Sequence, residues 1–263
     1  ARGAADPMDF CALNVALYSQ RQPRWVMTEL RRELVDRQPQ QLQLGASRLR
    51  VEDGRLSVDI DERSAPFRLP VRGRIVVTPG CITQRDFALT EGGAHRWWPI
   101  SPSARVDVEF SAPGLAWSGP GYLDTNHGSE PLHEGFDRWH WSRTHGEGHT
   151  RLAYHAIERT GRLTDLALTV DSAGHFTKVP AFEAQRLPAT PVWRAPRSAN
   201  LAGSARVVRT LEDTPFYGRS IITSDSEPGR LTMHESLSLP RFRSAWVSTL
   251  IPFRMRFPWR RPG

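Results

Sequence analysis

The chain has 263 residues, which is close to the upper limit for one hydrophobic core, so it can form one large domain or two packed units. Its 35 Lys and Arg residues exceed its 28 Asp and Glu residues, giving a formal net charge of +7, and only Lys178 is a lysine. The arginines are scattered among carboxylates, which argues against a nucleic-acid partner but leaves an anionic membrane surface open. No apolar run approaches the roughly 18 to 20 residues of a membrane-spanning helix, which argues against an integral membrane protein.

Cysteine and tryptophan usage narrows the class of protein further. Cys11 and Cys81 are too few for a disulfide framework, so a reducing compartment is expected. Nine tryptophans against four tyrosines indicate that the protein holds something apolar. The sequence begins with Ala1 rather than with Met, and we therefore expect its first part to be truncated.

Apolar and polar residues alternate through most of the chain, which predicts half-buried strands. Arg24 to Asp36 is an exception, because apolar residues at every fourth position (Val26, Leu30 and Leu34) predict a helix there. Turn-forming residues separate the strands about every ten residues, so the sequence predicts an all-β sandwich or barrel. A short helix is predicted around residues 132 to 136. The clearest predicted strands are Arg55 to Ile60, Arg74 to Val77, Arg105 to Phe110, Leu163 to Val170 and Arg230 to Leu239.

Residues 97 to 155 contain five of the nine tryptophans and six of the nine histidines. The histidines lie in loops or at spacings that do not place them on one helix face, and no His-Glu-x-x-His pattern or cysteine pair occurs. We therefore predict no metal site. The nucleophile-elbow pattern of serine hydrolases and glycine-rich phosphate loops do not occur either.

Asp124 is the candidate acid in this region, at the end of a predicted strand. Asn126 and Gly128 predict a tight turn after it, and a second carboxylate, Glu130, follows. Desolvation and the like charge would raise the pKa of Asp124, leaving a neutral acid that can donate a proton. The alternative is structural, because Asp and Asn before Gly are ordinary turn formers and a strand tryptophan is usually core. The expected aromatic wall is Trp117, Tyr122, Trp139 and Trp141.

The late part of the chain offers two further candidates and a candidate surface. Tyr217 and His234 could line a cavity, whereas residues 212 to 215 are predicted to form a turn. Aromatic and basic residues alternate from Trp246 to Arg260, which suits a membrane interface, or else a poorly ordered tail.

The sequence resembles the bacterial carotenoid 1,2-hydratases, also called hydroxyneurosporene synthases. The matching segments occur in the expected order and cover nearly the whole chain. They are Asp9 to Tyr18 (D-F-C-A-L-N-V-A-L-Y), Arg24 to Glu29 (R-W-V-M-T-E), His95 to Ile100 (H-R-W-W-P-I), Ser118 to Asn126 (S-G-P-G-Y-L-D-T-N), Trp139 to Arg143 (W-H-W-S-R), Arg209 to Ser220 (R-T-L-E-D-T-P-F-Y-G-R-S), His234 to Leu239 (H-E-S-L-S-L) and Pro252 to Met255 (P-F-R-M).

The resemblance implies an all-β protein of two packed lipocalin-like halves, barrel or sandwich, which we place at residues 1–131 and 132–263. It implies a hydro-lyase that needs no cofactor and adds water across the terminal 1,2 double bond of an acyclic carotenoid such as lycopene or neurosporene. Asp124 matches the family's proton donor, and Asn126, His127 or Glu130 could position the water. Aromatic and polar residues expected to contact the substrate are Trp97, Trp98, Trp117, Tyr122, Trp139, Trp141, Tyr217 and His234.

A carotenoid substrate also predicts where the protein acts. We expect peripheral contact with the cytoplasmic side of the photosynthetic inner membrane, and no nucleic-acid partner. Three alternatives stay open: a lipocalin-like terpenoid cyclase, a non-catalytic carotenoid or lipid carrier, and a metal-dependent hydrolase.

Overall fold

The computed structural model describes residues 6–254, and the side chains as far as residue 250. Within that range the chain is built almost entirely of antiparallel strands, which confirms the all-β prediction. Two 3₁₀ turns (Pro7–Phe10 and Arg32–Leu34) and three α-helices, α1 (Leu132–Gly135), α2 (Leu239–Phe242) and α3 (Ala245–Arg254), accompany them. The strands are β1 Cys11–Leu17, β2 Arg24–Leu30, β3 Val35–Gln38, β4 Gln41–Leu44, β5 Ser47–Glu52, β6 Arg55–Arg63, β7 Pro70–Pro79, β8 Phe87–Ala88, β9 His95–Ala112, β10 Leu115–Gly128, β11 Phe136–His145, β12 His149–Glu158, β13 Leu163–Asp171, β14 Phe176–Lys178, β15 Gln185–Leu187, β16 Arg197–Ala199, β17 Ala205–Asp213, β18 Tyr217–Ser224 and β19 Thr232–Ser238.

The chain divides into two compact units that are not continuous in sequence. Unit 1 contains the described residues up to Pro79, Arg105–Gly121 and residues 249–254. Unit 2 contains Gly80–Ala104 and Tyr122–Ser248, so the long strands β9 and β10 each contribute to both units. The predicted boundary between residues 131 and 132 lies within unit 2.

Unit 1 shows why the helix predicted for residues 24 to 36 is wrong. Most of that segment is strand β2, which pairs antiparallel with β1 over its whole length. Val26, Thr28 and Leu30 are buried, so the burial repeats every second residue. A spacing of four residues is also a multiple of two, and apolar residues at every fourth position therefore fit a strand as well as a helix.

The other predicted elements agree with the structure, except at two turns. Of the turn predicted at residues 212 to 215, the first two residues are paired in β17 and only the last two lie outside a strand. Each of the five predicted strands lies within or overlaps an observed strand, and α1 occupies the predicted short helix. The tight turn predicted at Asn126 to Gly128 is wrong, because β10 continues through Gly128. The partner strand β9 begins at His95, and the Ser129 N–H still donates to the Ala94 carbonyl at 2.9 Å. The neighbouring strand thus extends the pairing past the turn-forming residues.

Unit 2 is organised around a seven-stranded antiparallel sheet in the order β14-β13-β12-β11-β19-β18-β17. In its centre Trp141 pairs with Tyr154 on one side and Glu235 on the other, while His140 pairs with His155 and Ser236. Because successive side chains point to opposite faces, these two rows lie on opposite faces of the sheet. The main hydrophobic core of unit 2 contains Phe87, Leu89, Trp97, Phe136, Trp141, Leu152, Tyr154, Ala156, Leu168, Val170 and Leu239.

Candidate functional site

Asp124 lies in β10 and is held by two neutral hydrogen-bond donors. The indole Nε1–H of Trp97 donates to its Oδ2 at 2.8 Å, and the hydroxyl of Tyr122 donates to the same oxygen at 3.1 Å. Trp97 is fully buried in the core. Tyr122 precedes Asp124 by two residues, so both side chains are on one face of the strand. Both bonds leave the second carboxyl oxygen, Oδ1, as the atom that can carry a proton.

Desolvation raises the pKa of the Asp124 carboxyl above its ordinary value. The bonds from Trp97 and Tyr122 and the charges of Arg143 and Arg219 oppose that shift, but burial is the largest cause. Burial and the charge of Asp124 also raise the pKa of the Tyr122 phenol well above its ordinary value. Tyr122 therefore stays protonated, and Asp124 has the environment of a neutral acid.

Four side chains form a row across the central strands on the face that carries the aromatic core. Their order is Tyr154 on β12, Trp141 on β11, Glu235 on β19 and Arg219 on β18. Tyr154 contacts Trp97 at 5.3 Å between ring centroids, and Trp141 contacts Tyr122 at 5.2 Å. The row therefore lies against the residues that hold Asp124.

Glu235 is a second carboxylate in this cluster, paired with an arginine. The Nη2 and Nε atoms of Arg219 lie 2.8 and 3.0 Å from its Oε1. The pKa of Glu235 is raised above its ordinary value, and burial is the largest cause. The charge of Asp124 adds to this shift, whereas Arg219 and a hydrogen bond with Tyr217 oppose it. The charges of Glu235 and Asp124 both raise the pKa of Tyr154. The two carboxyl groups therefore belong to one electrostatically coupled site.

Arg143 completes the charged part of the cluster. Its guanidinium lies 5.5 Å from the ring centroid of Tyr122, and its Nη1 lies 3.0 Å from Nε2 of His145. Its buried Nε and the buried Nε1 of Trp141 have no hydrogen-bond acceptor among the residues described. Two buried N–H groups thus remain available to a small polar molecule.

A cavity of about 260 Å³ adjoins this cluster in unit 2. Tyr154 and Trp139, whose rings are 6.2 Å apart, belong to both the cavity wall and the aromatic core. A site that encloses a drug-sized ligand has about 300–1,000 Å³, so this space suits one end of a long molecule. The cavity is lined by Leu89, His95, Arg96, Asn126, His127, Gly128, Glu130, Leu132, Phe136, Trp139 and Tyr154.

The other three residues predicted to be catalytic line that cavity and are exposed. Asn126 follows Asp124 by two residues, on the same face of β10. His127 lies 3.7 Å from a carboxylate oxygen of Asp86, and Glu130 lies 3.3 Å from Nε2 of the buried His95. Their hydrogen bonds and ion pairs do not include Asp124.

Two of the predicted substrate contacts in unit 2 are not brought to Asp124, and a third belongs to the other unit. Trp98 follows Trp97 in β9, so its side chain lies on the opposite face of that strand. It donates its indole N–H to Thr83. Trp117 belongs to unit 1, where it is 51% exposed. His234 lies on the face of β19 opposite to Glu235. Trp97, Tyr122, Trp139, Trp141 and Tyr217, by contrast, all lie in the cluster or in the wall of the cavity.

His234 belongs instead to a buried histidine cluster on the other face of the sheet. Its ring is stacked 6.2 Å from that of His140, which lies 6.0 Å from that of His155. His234 donates through Nε2 to the Ser198 carbonyl at 2.7 Å, and His140 Nδ1 contacts the Ser236 hydroxyl at 2.9 Å. Burial is the main cause that lowers the pKa of His140 to about 3 and that of His234 to about 4.

Glu235, Arg219, Arg143 and Tyr154 were not singled out from the sequence as site residues. A signal for Glu235 was present, because it stands between Met233 and Leu237 in the apolar phase of β19, where a carboxylate is unusual. Arg143 and Arg219 likewise stand in the aromatic or apolar phase of β11 and β18. Which side chains they meet depends on the register across three strands, which the sequence does not give.

Two wider features concern the described residues only. Among residues 6–254, no three His, Cys, Asp or Glu side chains are arranged to hold a metal ion. A search of the same part of the chain finds no helix with the length and apolar character needed to cross a membrane.

Comparison with known sequences gives one consistent result. A protein-family model described as "Carotenoid hydratase CrtC" matches residues 1–262. The acyclic carotenoid 1,2-hydratase of Thiocapsa roseopersicina is 43% identical over 97% of this chain and 64% of its own length. The enzyme of that name from Rubrivivax gelatinosus is 38% identical over 98% and 63%, and that of Cereibacter sphaeroides 33% identical over 99% and 93%. The chain thus spans less than two thirds of the first two relatives.

Comparison with solved structures shows the same all-β fold in distant proteins. An AttH-like protein of Nitrosomonas europaea matches with a TM-score of 0.60 at 15% identity, over 82% of this chain and 76% of that protein. Kievitone hydratase of Nectria haematococca matches with a TM-score of 0.51 at 10% identity, over 87% and 82%. These likenesses confirm the predicted lipocalin-like fold class.

Proposed function

This chain belongs to the carotenoid hydratase CrtC family, and we propose that it adds water across the terminal 1,2 double bond of an acyclic carotenoid. The product is a tertiary 1-hydroxy carotenoid, and the reaction is that of a hydro-lyase without a cofactor. Lycopene and neurosporene are the proposed substrates. The observation that carries the mechanism is the desolvated Asp124, held by neutral donors inside an aromatic cluster.

Asp124 supplies the proton. Protonation of the alkene at C2 places positive charge on the tertiary carbon C1, so the acid must be neutral beforehand. Burial keeps the Asp124 carboxyl protonated to a higher pH than an ordinary aspartic acid. Trp97 and Tyr122 hold Oδ2 and thereby orient Oδ1, which carries the proton, toward the substrate. Their hydrogen bonds also stabilise the carboxylate that remains after proton transfer.

The aromatic rings around Asp124 stabilise the cation. The faces of Trp141, Tyr154 and Trp139 carry partial negative charge, and a desolvated cation over such a ring gains about 2 kcal/mol or more. These rings themselves carry no basic group, which matters because a base in direct contact with the cation would remove a proton and regenerate the alkene. We assign the cavity of about 260 Å³ to one end of the carotenoid. From there the terminal double bond reaches Asp124 past Tyr154 and Trp139, which belong to the cavity wall.

Incubation of the protein with lycopene in detergent tests this function by the mass of the product. We expect a product heavier than lycopene by one water. A cyclase would yield an isomer of unchanged mass, and a carrier would bind lycopene without converting it. Turnover should be unaffected by a chelator, whereas loss of turnover in chelator would contradict the cofactor-independent mechanism.

We also propose that unit 2 touches the membrane that holds the substrate, through a surface around Trp246. Trp246 is 45% exposed and is stacked 5.9 Å from Trp193, and the neighbouring Val192 is 74% exposed. Arg241 donates to the carbonyls of Trp193 and Arg194, so its guanidinium lies beside this aromatic pair. Aromatic residues beside arginines suit the interface of an anionic membrane. The predicted extension of this surface beyond residue 254 lies outside the described residues.

Replacing Trp246 by Ala should weaken binding to anionic vesicles by about tenfold or more. Burial of a large apolar side chain contributes about 1.5–3 kcal/mol, and 1.4 kcal/mol corresponds to a factor of ten. Co-sedimentation with vesicles measures the effect. Trp117→Ala removes another exposed tryptophan, in unit 1, and should leave binding unchanged. Equal binding by Trp246→Ala and the parent would show that the protein does not use this surface.

A further inference from the structure

The protonation assigned to Asp124 does not use Glu235, the second carboxylate of the cluster. Hydration of an alkene needs two proton transfers, because the water that attacks the cation must then lose a proton. The group that receives this proton has to be ionised when the cation forms, and it has to contact the water.

Burial raises the pKa of Glu235, and Arg219 is the partner that stabilises its ionised form. Its guanidinium approaches Oε1 at 2.8 and 3.0 Å, which is a charge-assisted hydrogen bond. Asp124, by contrast, receives its hydrogen bonds only from an indole and a phenol. Of these two coupled carboxyl groups only Glu235 is hydrogen-bonded to a guanidinium, so the partners distinguish a base from an acid.

The indole N–H of Trp141 is a donor for a water molecule beside Glu235. The two residues are directly opposite in the pairing of β11 with β19, where Cβ atoms are about 4.5–5.5 Å apart. Trp141 is 8% exposed, and its indole N–H has no acceptor among the described residues. Buried N–H groups in native proteins nearly always have a partner, often an ordered water. A water that accepts from Trp141 can donate to Glu235.

We propose that Glu235, together with Trp141, binds the water that captures the carotenoid cation and takes the proton from it. This assignment rests on the proposed hydration. The π electrons of the double bond take the Asp124 proton and form the C2–H bond. A lone pair of the water oxygen then forms the C1–O bond, and the proton of that oxygen passes to Glu235. Solvent returns a proton to Asp124 and removes one from Glu235, so the net change is the addition of one water.

Turnover of lycopene in D₂O separates the two steps. Glu235→Gln keeps the shape of the side chain but removes the base, so we expect hydration to fall by about 10²-fold or more. Asp124 still delivers a deuteron to C2, and an uncaptured cation returns to lycopene when the Asp124 carboxylate removes a hydrogen isotope from C2. Lycopene retains deuterium each time the original hydrogen leaves rather than the delivered deuteron. Mass spectrometry should therefore find deuterated lycopene accumulating with Glu235→Gln, and mainly hydrated product with the parent.

Glu212→Gln is the matched control, since Glu212 lies 3.4 Å from the same arginine, Arg219. It should keep the parent's ratio of hydrated to deuterated product. Glu235→Asp retains the charge but withdraws it by one methylene, and should lower that ratio even if Glu235→Gln does not fold.

Four results would be decisive against one or both proposals. Hydration at the parent rate by Glu235→Gln, or an unchanged product ratio in Glu235→Asp, would overturn the role of Glu235 while leaving the proposed function intact. Loss of deuterium exchange together with hydration, in a folded Glu235→Gln protein, would also overturn it. A parent protein that neither hydrates lycopene nor incorporates deuterium would refute the proposed function itself.

Discussion

Replacing Asp124 by Asn should reduce the hydration of lycopene by about 10³-fold or more, within the range that a positioned general acid contributes. The amide has the same shape, and its oxygen can still accept the hydrogen bonds from Trp97 and Tyr122. It has no acidic proton to give to C2. The measurement is the rate of formation of the hydroxylated product, with substrate binding followed separately.

The fold and the pH profile provide the controls. The free energy of unfolding of Asp124→Asn should equal or exceed that of the parent, because a desolvated carboxyl is removed. Asp107→Asn makes the same change at a partly exposed carboxylate in unit 1 and should keep full activity. In the parent, activity should fall as the pH rises through the raised pKa of Asp124, since the neutral acid is lost. Parent-like turnover by Asp124→Asn would assign the proton donor to another residue.

Lowering the pH from 7.5 to 5 should destabilise the protein through its buried histidine cluster. The pKa values of His140 and His234, about 3 and about 4, lie below the ordinary value of 6.5, so the folded state binds fewer protons than the unfolded state. The free energy of unfolding is therefore insensitive to these groups above pH 6.5 and falls as the pH drops below it. At pH 5 each histidine accounts for a loss of about 2 kcal/mol.

Urea denaturation of His140→Gln at both pH values tests this prediction. The variant lacks one titrating group, so its loss of stability between pH 7.5 and 5 should be smaller than the parent's by about 2 kcal/mol. Charged and titratable neighbours of the cluster (Arg138, Arg197, His155 and Asp165) are unchanged in the comparison. Identical pH dependence in His140→Gln would mean that His140 is not buried as a neutral ring.

The five strands named from the sequence could be predicted from alternation alone, because half-buried strands repeat their burial every two residues. The failures came where a local pattern had two solutions. Val26 and Leu30 fit a helix or a strand, and pairing with β1 selects the strand. Asn126 and Gly128 fit a turn, but β9 offers a partner that keeps them in β10. Long-range pairing, which sequence spacing does not contain, decided both.

The tryptophan-rich middle of the chain and the carboxylate within it were evident from the sequence. The chemical character of tryptophan and aspartate follows from residue type alone, whatever the fold. Which of them meet was decided only by the tertiary structure. Trp97 and Trp98 are neighbours in sequence, yet only Trp97 reaches Asp124. His234 and Glu235 are also neighbours, and their side chains lie on opposite faces of one sheet. The physical reason is the two-residue period of a strand, which sends adjacent side chains to opposite sides and leaves the register between distant strands to determine the partners.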